Sequence, residues 1–299
     1  MAFPKISIIV PVYNGEKCIG ECIESLLALD YPKQCMEIIV VDNNSTDKSV
    51  EIIKKFSEVK LISEKKQGAC CARNIGYRNA SNDLIAFTDS DCIVDKNWLK
   101  ELVRHFENDR VAGCGGHLEP MPPQTVIEEY IIFRDILSQE NAFKNEPLSP
   151  PFLITSNAMY RKNILNEVGG FDENFYIAGE DADLSWRIVE KGYKLECESK
   201  AIVYHKHRST LMSFLRQVKS YGCGTSYLFW KYHKKFGYER FIYKDPYFVI
   251  LKSFIRAPYN FIFKKNKLDK YCPILDFLGE IFFLIGKIST SFKLKIKNF

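Results

Sequence analysis

The stretch Ile6-Ser-Ile-Ile-Val-Pro-Val-Tyr-Asn14 places a run of β-branched residues directly before a polar segment. This composition is typical of a strand that is buried on both faces, and it predicts a first strand from Ile6 to Val12. Similar runs lie at Glu37 to Val41 and Leu84 to Thr88, and apolar residues recur at helical spacing from Ile19 to Leu27. Strands that alternate with helices in this way predict an α/β protein with a largely parallel sheet.

The length and composition of the chain are those of a folded protein with a large core. It has 299 residues, of which 46% are hydrophobic. Its ten cysteines include no Cys-x-x-Cys pair, which favours a reducing compartment over a disulfide framework or a zinc site. The N-terminal residues lack the basic and apolar regions of a signal peptide. We therefore expect a cytoplasmic protein.

Charge divides the chain into two parts. Residues 231–299 hold 15 Lys and Arg against 5 Asp and Glu, although the net charge of the whole chain is only +5. We predict one domain over residues 1–231 and a basic helical tail over residues 232–299. The tail has no recognisable nucleic-acid module, so we expect no nucleic-acid partner and favour an anionic membrane surface.

Two segments of the tail are apolar at helical spacing, residues 248–263 and 274–285. Neither provides about 18 uninterrupted apolar residues, so a membrane span is not expected. Peripheral attachment to the cytoplasmic face of the cell membrane is the favoured prediction. The alternative is that these helices pack on the first domain as an ordinary helical cap.

Polar clusters follow the predicted strands where α/β proteins bind ligands, beyond the carboxyl ends of a parallel sheet. The clusters are Pro11 to Glu16, Asp42 to Ser45, Thr88 to Asp91 and, at the start of a later helix, Gly179 to Asp183. Asp89 and Asp91 repel each other unless a cation lies near them. Hard oxygen ligands of this kind favour Mg²⁺ or Mn²⁺, and the alternative is that both residues form a turn or a helix cap.

These clusters resemble the motifs of family 2 glycosyltransferases, and they occur in that family's order between Lys5 and Tyr227. The matching segments are Ser7 to Asn14, Glu37 to Ser45, Gly68 to Gly76, Phe87 to Asp91, Gly169 to Glu173 and Gly179 to Arg187. The resemblance implies an inverting, metal-dependent enzyme with a GT-A-like, Rossmann-like domain, in which helices cover a mixed, mostly parallel sheet. It also implies sugar transfer from a nucleotide diphosphate sugar, with UDP as the expected nucleotide.

The resemblance assigns the nucleotide pocket to the first half of the chain. Pro11, Tyr13 and Asp42 are expected at the base, and Glu16 and Arg73 complete the pocket. Turn formation or packing is the alternative for Pro11 and Tyr13, and a solvated position on a helix is the alternative for Arg73.

The resemblance also implies a divalent metal, Mn²⁺ or Mg²⁺, as the cofactor. Asp91 is expected to ligate the ion that bridges the two phosphates, and Asp89 to face the ribose and the metal. His205 is the expected further ligand. His207 and a structural hydrogen-bonding role for either histidine stay open as alternatives.

The sugar and acceptor side of the site is assigned, by the same resemblance, to residues later in the chain. Asp181 is expected to be the catalytic base, Glu180 to orient the acceptor or tune its neighbour, and Asp183 to support them. Asn157 is the expected donor-sugar contact, and Gly170 lets the backbone approach a ligand. The alternative for the three acids is that they only favour the positive N-terminus of a helix.

Processive polysaccharide synthases of this superfamily carry a Gln-x-x-Arg-Trp signature, and here no tryptophan directly follows Arg216. We therefore expect transfer of a single sugar to a hydroxyl of a saccharide or lipid-linked acceptor, in cell-surface polysaccharide or glycolipid synthesis. A catalytically silent nucleotide-sugar-binding scaffold and a nucleotidyltransferase stay open. The latter should have a Gly-rich, basic phosphate loop after the first strand, which Tyr13 to Glu16 does not supply.

Overall fold

The computed structural model describes residues 3–144, 150–175, 178–236 and 246–296. Every residue predicted for the site lies within these ranges. Residues 237–245 and 297–299 of the predicted tail lie outside the described residues.

The described residues contain one eight-stranded sheet. Its strands are Ile6–Val12 (β1), Met36–Asp42 (β2), Val59–Ser63 (β3), Leu84–Thr88 (β4), Cys92–Val94 (β5), Val111–Pro120 (β6), Asn157–Arg161 (β7) and Lys194–His205 (β8). They lie in the order β3-β2-β1-β4-β7-β6-β8-β5. The first four pair in parallel, as do β6 and β8, whereas β7 is antiparallel to both β4 and β6, and β5 is antiparallel to β8. The predicted mixed, mostly parallel sheet is therefore confirmed.

Helices connect and cover the strands. They are Ile19–Leu27 (α1), Ser49–Ile53 (α2), Ala69–Arg78 (α3), Trp98–Val103 (α4), Val126–Phe133 (α5), Gln139–Ala142 (α6), Lys162–Glu167 (α7), Glu180–Glu190 (α8), Leu211–Phe236 (α9), Pro246–Phe263 (α10) and Lys267–Leu294 (α11).

Apolar cores lie on both faces of the sheet. Within β1, Ile8 and Val10 pack in one core with Ile23 of α1, and Ile9 packs in another with Ala72 of α3. Successive side chains of a strand point to opposite faces, so an uninterrupted apolar run fits a strand covered on both sides. This arrangement fixes the sheet, and it leaves the polar residues after each strand at one exposed edge.

The boundary predicted at residue 231 lies inside α9, which continues to Phe236. Helix α11 packs closely along α9 through small residues. A Cβ atom on Gly286 would lie 2.1 Å from the Lys219 carbonyl oxygen, and the Ser226 hydroxyl donates to the Lys287 carbonyl at 3.0 Å. Close backbone approach of this kind ties the tail to the domain.

Helix α11 also contacts α5. The Tyr130 hydroxyl donates to Asp276 at 2.7 Å, and Arg134 forms an ion pair with the same carboxylate. The predicted segment 274–285 therefore packs on the domain as a helical cap. None of the helices in the described part of the chain is long and apolar enough to cross a membrane.

Candidate active site

A cavity of about 990 Å³ lies beyond the carboxyl ends of β1 and β4. Pro11 and Tyr13 contribute from the end of β1, and residues 89–91 contribute from the loop after β4. Residues 179–182, at the start of α8, face the same space. Asn43, from the cluster that follows β2, also lines the cavity, so all four polar clusters identified in the sequence meet there.

Helix α9 forms a wall of this cavity. Residues at spacings of three and four line it, including Ser213, Arg216, Gln217, Ser220 and Tyr221. Residues at these spacings share one side of a helix. The other side of α9 packs on α11, so the tail supports the cavity wall from behind.

Arg73 connects two sides of the site. This guanidinium is 5% exposed, and it pairs with Asp89 and with Glu180, each at 2.9 Å. Burial alone would lower the pKa of Arg73, but the carboxylates of Asp89 and Glu180 outweigh it and raise that pKa. Arg73 is therefore a fixed cation, and the expectation of a solvated helix residue is excluded by its burial.

The surroundings of Asp181 raise the pKa of its carboxyl group. Burial, and next the negative charge of Glu180, raise its pKa to about 7, although Arg73 opposes the shift. The Thr155 hydroxyl donates to Oδ1 of Asp181, and the Thr155 backbone N–H donates to Oδ2 at 3.3 Å. A carboxylate that is held in place and titrates near neutrality is suited to exchange protons with a substrate.

Asp91 and His205 lie together and have the chemistry of divalent-ion ligands. Nε2 of His205 lies 3.8 Å from Oδ1 of Asp91, and these atoms form a group with the Cys92 thiol that could hold a metal ion. Burial raises the pKa of Cys92, which disfavours the thiolate form that metal coordination requires. A carboxylate oxygen and an imidazole nitrogen are suitable ligands for Mn²⁺, and diphosphate oxygens can supply further ones.

His207 has different surroundings from those of His205. Burial, followed by the positive charge of His205, lowers the pKa of His207 to about 4. His207 does not belong to the group of candidate metal ligands found among the described residues. The geometry therefore favours His205 over His207.

The residues predicted for the nucleotide pocket divide into two groups. Pro11 and Tyr13 line the cavity, and the Tyr13 ring is 55% exposed at its rim. Asp42 is 6% exposed, and its Oδ1 accepts from the Ser45 N–H at 3.3 Å. Asp42 is not among the cavity-lining residues, whereas its neighbour Asn43 is.

Glu16 also lies outside the cavity lining. Its carboxylate accepts from the Lys48 N–H at 3.1 Å, and its own N–H donates to Asp47 at 2.9 Å. These contacts join the loop after β1 to the start of α2. Glu16 therefore shapes the loop that carries Tyr13.

Asn157 lies inside the protein. Its side chain is fully buried, with Oδ1 accepting from Trp98 at 2.7 Å and Nδ2 donating to the carbonyls of His117 and Ala201, each at 2.8 Å. These contacts use the hydrogen-bonding capacity of the amide to connect β7 with its neighbours. The structure thus corrects the expected donor-sugar contact, because Asn157 does not reach the cavity.

Asp183 and Gly170 are likewise away from the cavity. Asp183 is fully buried and pairs with Arg187 at 2.8 Å and Lys231 at 2.5 Å. A Cβ atom on Gly170, whose φ is +73°, would lie 2.5 Å from the Tyr77 hydroxyl. Both residues therefore hold elements together, and neither contacts the site directly.

Among the residues that the sequence did not predict, four bear directly on the chemistry of the site. Arg208 approaches Asp91, with 3.8 Å between Nη1 and Oδ2, and Arg216 lines the cavity from α9. Thr155 orients Asp181, and the buried Ser156 hydroxyl lines the cavity without a protein partner among the described residues. The one sequence feature that could have pointed to these residues is the pair Arg208 and Arg216, which follows His205.

The chain is similar to known proteins. The profile of Glycosyl transferase family 2 matches residues 7–169. Glycosyltransferase AglE of Haloferax volcanii is 32% identical over 212 residues, which cover 69% of this chain and 68% of that protein. The dolichyl N-acetyl-α-D-glucosaminyl phosphate 3-β-D-2,3-diacetamido-2,3-dideoxy-β-D-glucuronosyltransferase of Methanococcus voltae is 26% identical over 273 residues, which cover 86% of this chain and 84% of that protein.

Solved structures share the fold. Mannosyltransferase PcManGT from Pyrobaculum calidifontis, in complex with GDP-Man and Mn²⁺, has a TM-score of 0.57 and 17% identity, covering 98% of this chain and 75% of that one. S. aureus TarS 1-349 in complex with UDP has a TM-score of 0.50 and 20% identity, covering 97% of this chain and 92% of that one. The predicted GT-A-like architecture is confirmed.

Proposed function

Because this chain belongs to glycosyl transferase family 2 and so transfers a sugar from a nucleotide sugar, we propose the following specific reaction. The protein moves one sugar from a nucleotide diphosphate sugar, with UDP as the first candidate, to a hydroxyl of a saccharide or lipid-linked acceptor. The transfer inverts the anomeric configuration. The product serves cell-surface polysaccharide or glycolipid synthesis.

The bridge formed by Arg73 supports this proposal most strongly. It joins Asp89, on the side assigned to the nucleotide, to Glu180, the direct neighbour of Asp181. A leaving-group side and a proton-accepting side are therefore held at a fixed separation around one cavity. An inverting displacement needs this arrangement, because attack and departure occur on opposite faces of the sugar.

Asp181 is the proposed catalytic base. The acceptor oxygen forms a bond to the anomeric carbon while the bond from that carbon to the diphosphate oxygen breaks, and the hydroxyl proton passes to Asp181. Burial keeps the pKa of this carboxyl group high, at about 7, which makes the carboxylate a stronger base than an exposed one. Thr155 positions it, and Glu180 helps to keep its pKa raised.

Asp91 and His205 are proposed to hold the divalent cofactor, Mn²⁺ or Mg²⁺. When bound, the ion supplies Lewis-acid stabilisation of the charge on the departing diphosphate. Tyr13 and Pro11 would contact the base at the cavity rim. Arg208 could pair with phosphate in place of Asp91, and the free Ser156 hydroxyl could accept or donate to a sugar hydroxyl.

The proposed acceptor draws on a relative. The Methanococcus voltae enzyme is named for a dolichyl-linked sugar phosphate acceptor, which supports a lipid-linked acceptor here. The structural neighbours carry GDP-Man in one case and UDP in another, so both nucleotides must be tested. We propose that the protein works peripherally on the cytoplasmic face of the cell membrane, at an anionic surface.

The test is incubation with UDP-, GDP- and dTDP-sugars, with and without Mn²⁺, scoring nucleotide release and transfer to lipid-linked saccharides. The proposal predicts turnover with one class of donor, dependent on a divalent ion and stimulated by acceptor. Tight nucleotide-sugar binding without turnover, across all donors and acceptors, would instead identify a silent scaffold.

A further inference from the structure

Helix α10 exposes an unusually apolar surface. Nine of its large apolar side chains are between 57% and 70% exposed. They are Tyr247, Phe248, Leu251, Phe254, Ile255, Tyr259, Phe261, Ile262 and Phe263. A contiguous exposed apolar surface is unfavourable in water, and it marks a surface that is covered by something in function.

Within the part of the chain that the structure describes, only a narrow strip of α10 contacts the rest of the protein. Ser253 is 3% exposed, and Asn260 donates to the Asp269 carbonyl of α11 at 2.7 Å. At about 100° per residue, Ser253 and Asn260 project to one side, and Phe254, Ile255 and Ile262 project to the other sides of the helix. The apolar face therefore points away from the domain.

Basic side chains border this apolar face. Lys252 and Arg256 are one turn apart on its flank, and Lys264, Lys265 and Lys267 follow its last turn. All five are exposed, and none pairs with a carboxylate elsewhere in the part of the chain that the structure describes. Long basic side chains at this position can reach lipid headgroups while the apolar face enters the acyl region.

We infer that α10 is the membrane-inserting element of the protein, lying in the plane of an anionic bilayer surface. The inference deepens the membrane attachment proposed above and rests on it. Phe254, Ile255 and Ile262 enter the acyl boundary, and Lys252 and Arg256 contact anionic headgroups. A deformable lipid surface fits a helix that is exposed and apolar around most of its circumference, whereas a rigid partner would need a groove to enclose it.

Helix α11 has a different role from α10. Its own apolar side packs on α9 and α5, so it serves as the support between the membrane helix and the cavity wall. The transferase is thereby kept at the surface where a lipid-linked acceptor resides. Of the two apolar segments in the sequence, the first faces the bilayer and the second does not.

The test is co-sedimentation of the full chain with vesicles of phosphatidylcholine containing about 30% phosphatidylglycerol, at low salt. Phe254→Ser/Ile255→Ser/Ile262→Ser should lower the partition coefficient by at least ~100-fold, since each buried large apolar side chain contributes roughly tenfold or more. Lys252→Gln/Arg256→Gln should lower binding to anionic vesicles by roughly tenfold and leave binding to pure phosphatidylcholine nearly unchanged.

A matched control is Phe3→Ser/Phe133→Ser/Val189→Ser, which removes three exposed apolar side chains elsewhere and should bind vesicles as the wild type does. Circular dichroism checks the fold of every variant. Equal loss of binding in the control, or unchanged binding in the α10 variant, would overturn the inference. A lipid-free dimer that the α10 variant dissociates would also overturn it, because a second copy would then cover the face.

Nucleotide release from the donor, measured without vesicles, separates this inference from the proposed reaction. The α10 variant should keep the wild-type rate in that assay. If the α10 variant loses vesicle binding but keeps its turnover, the inference is supported. If the wild type shows no turnover, the proposed reaction is contradicted, and the vesicle-binding result still tests the role of α10.

Discussion

Replacement of Asp181 by Asn separates catalysis from stability. The amide has nearly the shape of the carboxylate, but it cannot accept the acceptor proton, so kcat should fall by roughly 10² to 10⁴. This loss corresponds to about 3 to 5 kcal/mol of transition-state stabilisation. Donor affinity should change little, because Asp89 and Arg73 remain paired.

The same change should stabilise the fold above neutral pH. Burial raises the folded-state pKa of Asp181 from 3.8 to about 7, so the folded protein holds this proton more tightly than the unfolded chain. The stability that this proton contributes is present below about pH 4 and is lost as pH rises through about 7. Asn carries no charge to bury, and its free energy of unfolding should exceed that of the wild type by a few kcal/mol at about pH 8.

The assay combines kcat, donor Kd and urea unfolding for wild type and Asp181→Asn between about pH 5 and 9. The wild-type kcat should rise with pH and level off above the pKa of Asp181, and Glu180→Gln should shift this midpoint downward. A near-normal kcat in Asp181→Asn would refute the assignment of the base. A destabilised Asn variant at high pH would refute the argument from burial.

Three further predictions test the metal site and the tail. Asp91→Asn should lose most activity and Mn²⁺ dependence while keeping its melting temperature, and full Mn²⁺-dependent turnover in a rate titration would contradict the ligand assignment. His205→Ala should raise the Mn²⁺ concentration for half-maximal rate by at least ~10-fold. The matched control His207→Ala should leave that concentration within about twofold. A larger effect of His207→Ala than of His205→Ala would move the ligand assignment to His207. Gly286→Ala should lower the free energy of urea unfolding by roughly 1–3 kcal/mol, because its Cβ would lie 2.1 Å from the Lys219 carbonyl. Gly279→Ala, where the nearest contact is an ordinary 3.6 Å to Phe214, is the control, and equal effects would show that α11 does not pack tightly on α9.

The strongly periodic elements could be predicted from the sequence. β1 has the predicted bounds, Ile6–Val12, and α1, Ile19–Leu27, covers the apolar residues from which the helix was predicted, because a β-branched run and an amphipathic stripe are local signals. β7 was not predicted, since Asn157–Arg161 contains no β-branched residue. Its strand conformation comes from antiparallel pairing with β4 and β6, which is a tertiary interaction.

The sequence motif at the start of α8 does not indicate which of its acidic side chains faces the cavity. Asp181 and Asp183 are two positions apart, and residues at this spacing do not share a face of a helix. Asp181 therefore faces the cavity, and Asp183 turns inward to Arg187 and Lys231. The sequence could predict that the cluster mattered, but only the rotation of α8 decides which carboxylate reaches the cavity.

The tail was ambiguous for a similar reason. Both apolar segments have helical spacing, and an apolar face serves equally well for a lipid surface and for a protein core. Small residues such as Gly286 allow α11 to approach α9, whereas α10 lies against α11 by only a narrow strip. This difference depends on which helix finds a partner in the folded chain.

The anomeric configuration of the product reports directly on the proposed inverting transfer. With the active donor identified, the first product formed should be examined by proton NMR for the coupling constant of its new glycosidic bond. An α-linked donor should give a β-linked product, because Asp181 promotes a single displacement. A product that retains the donor's α configuration would contradict it.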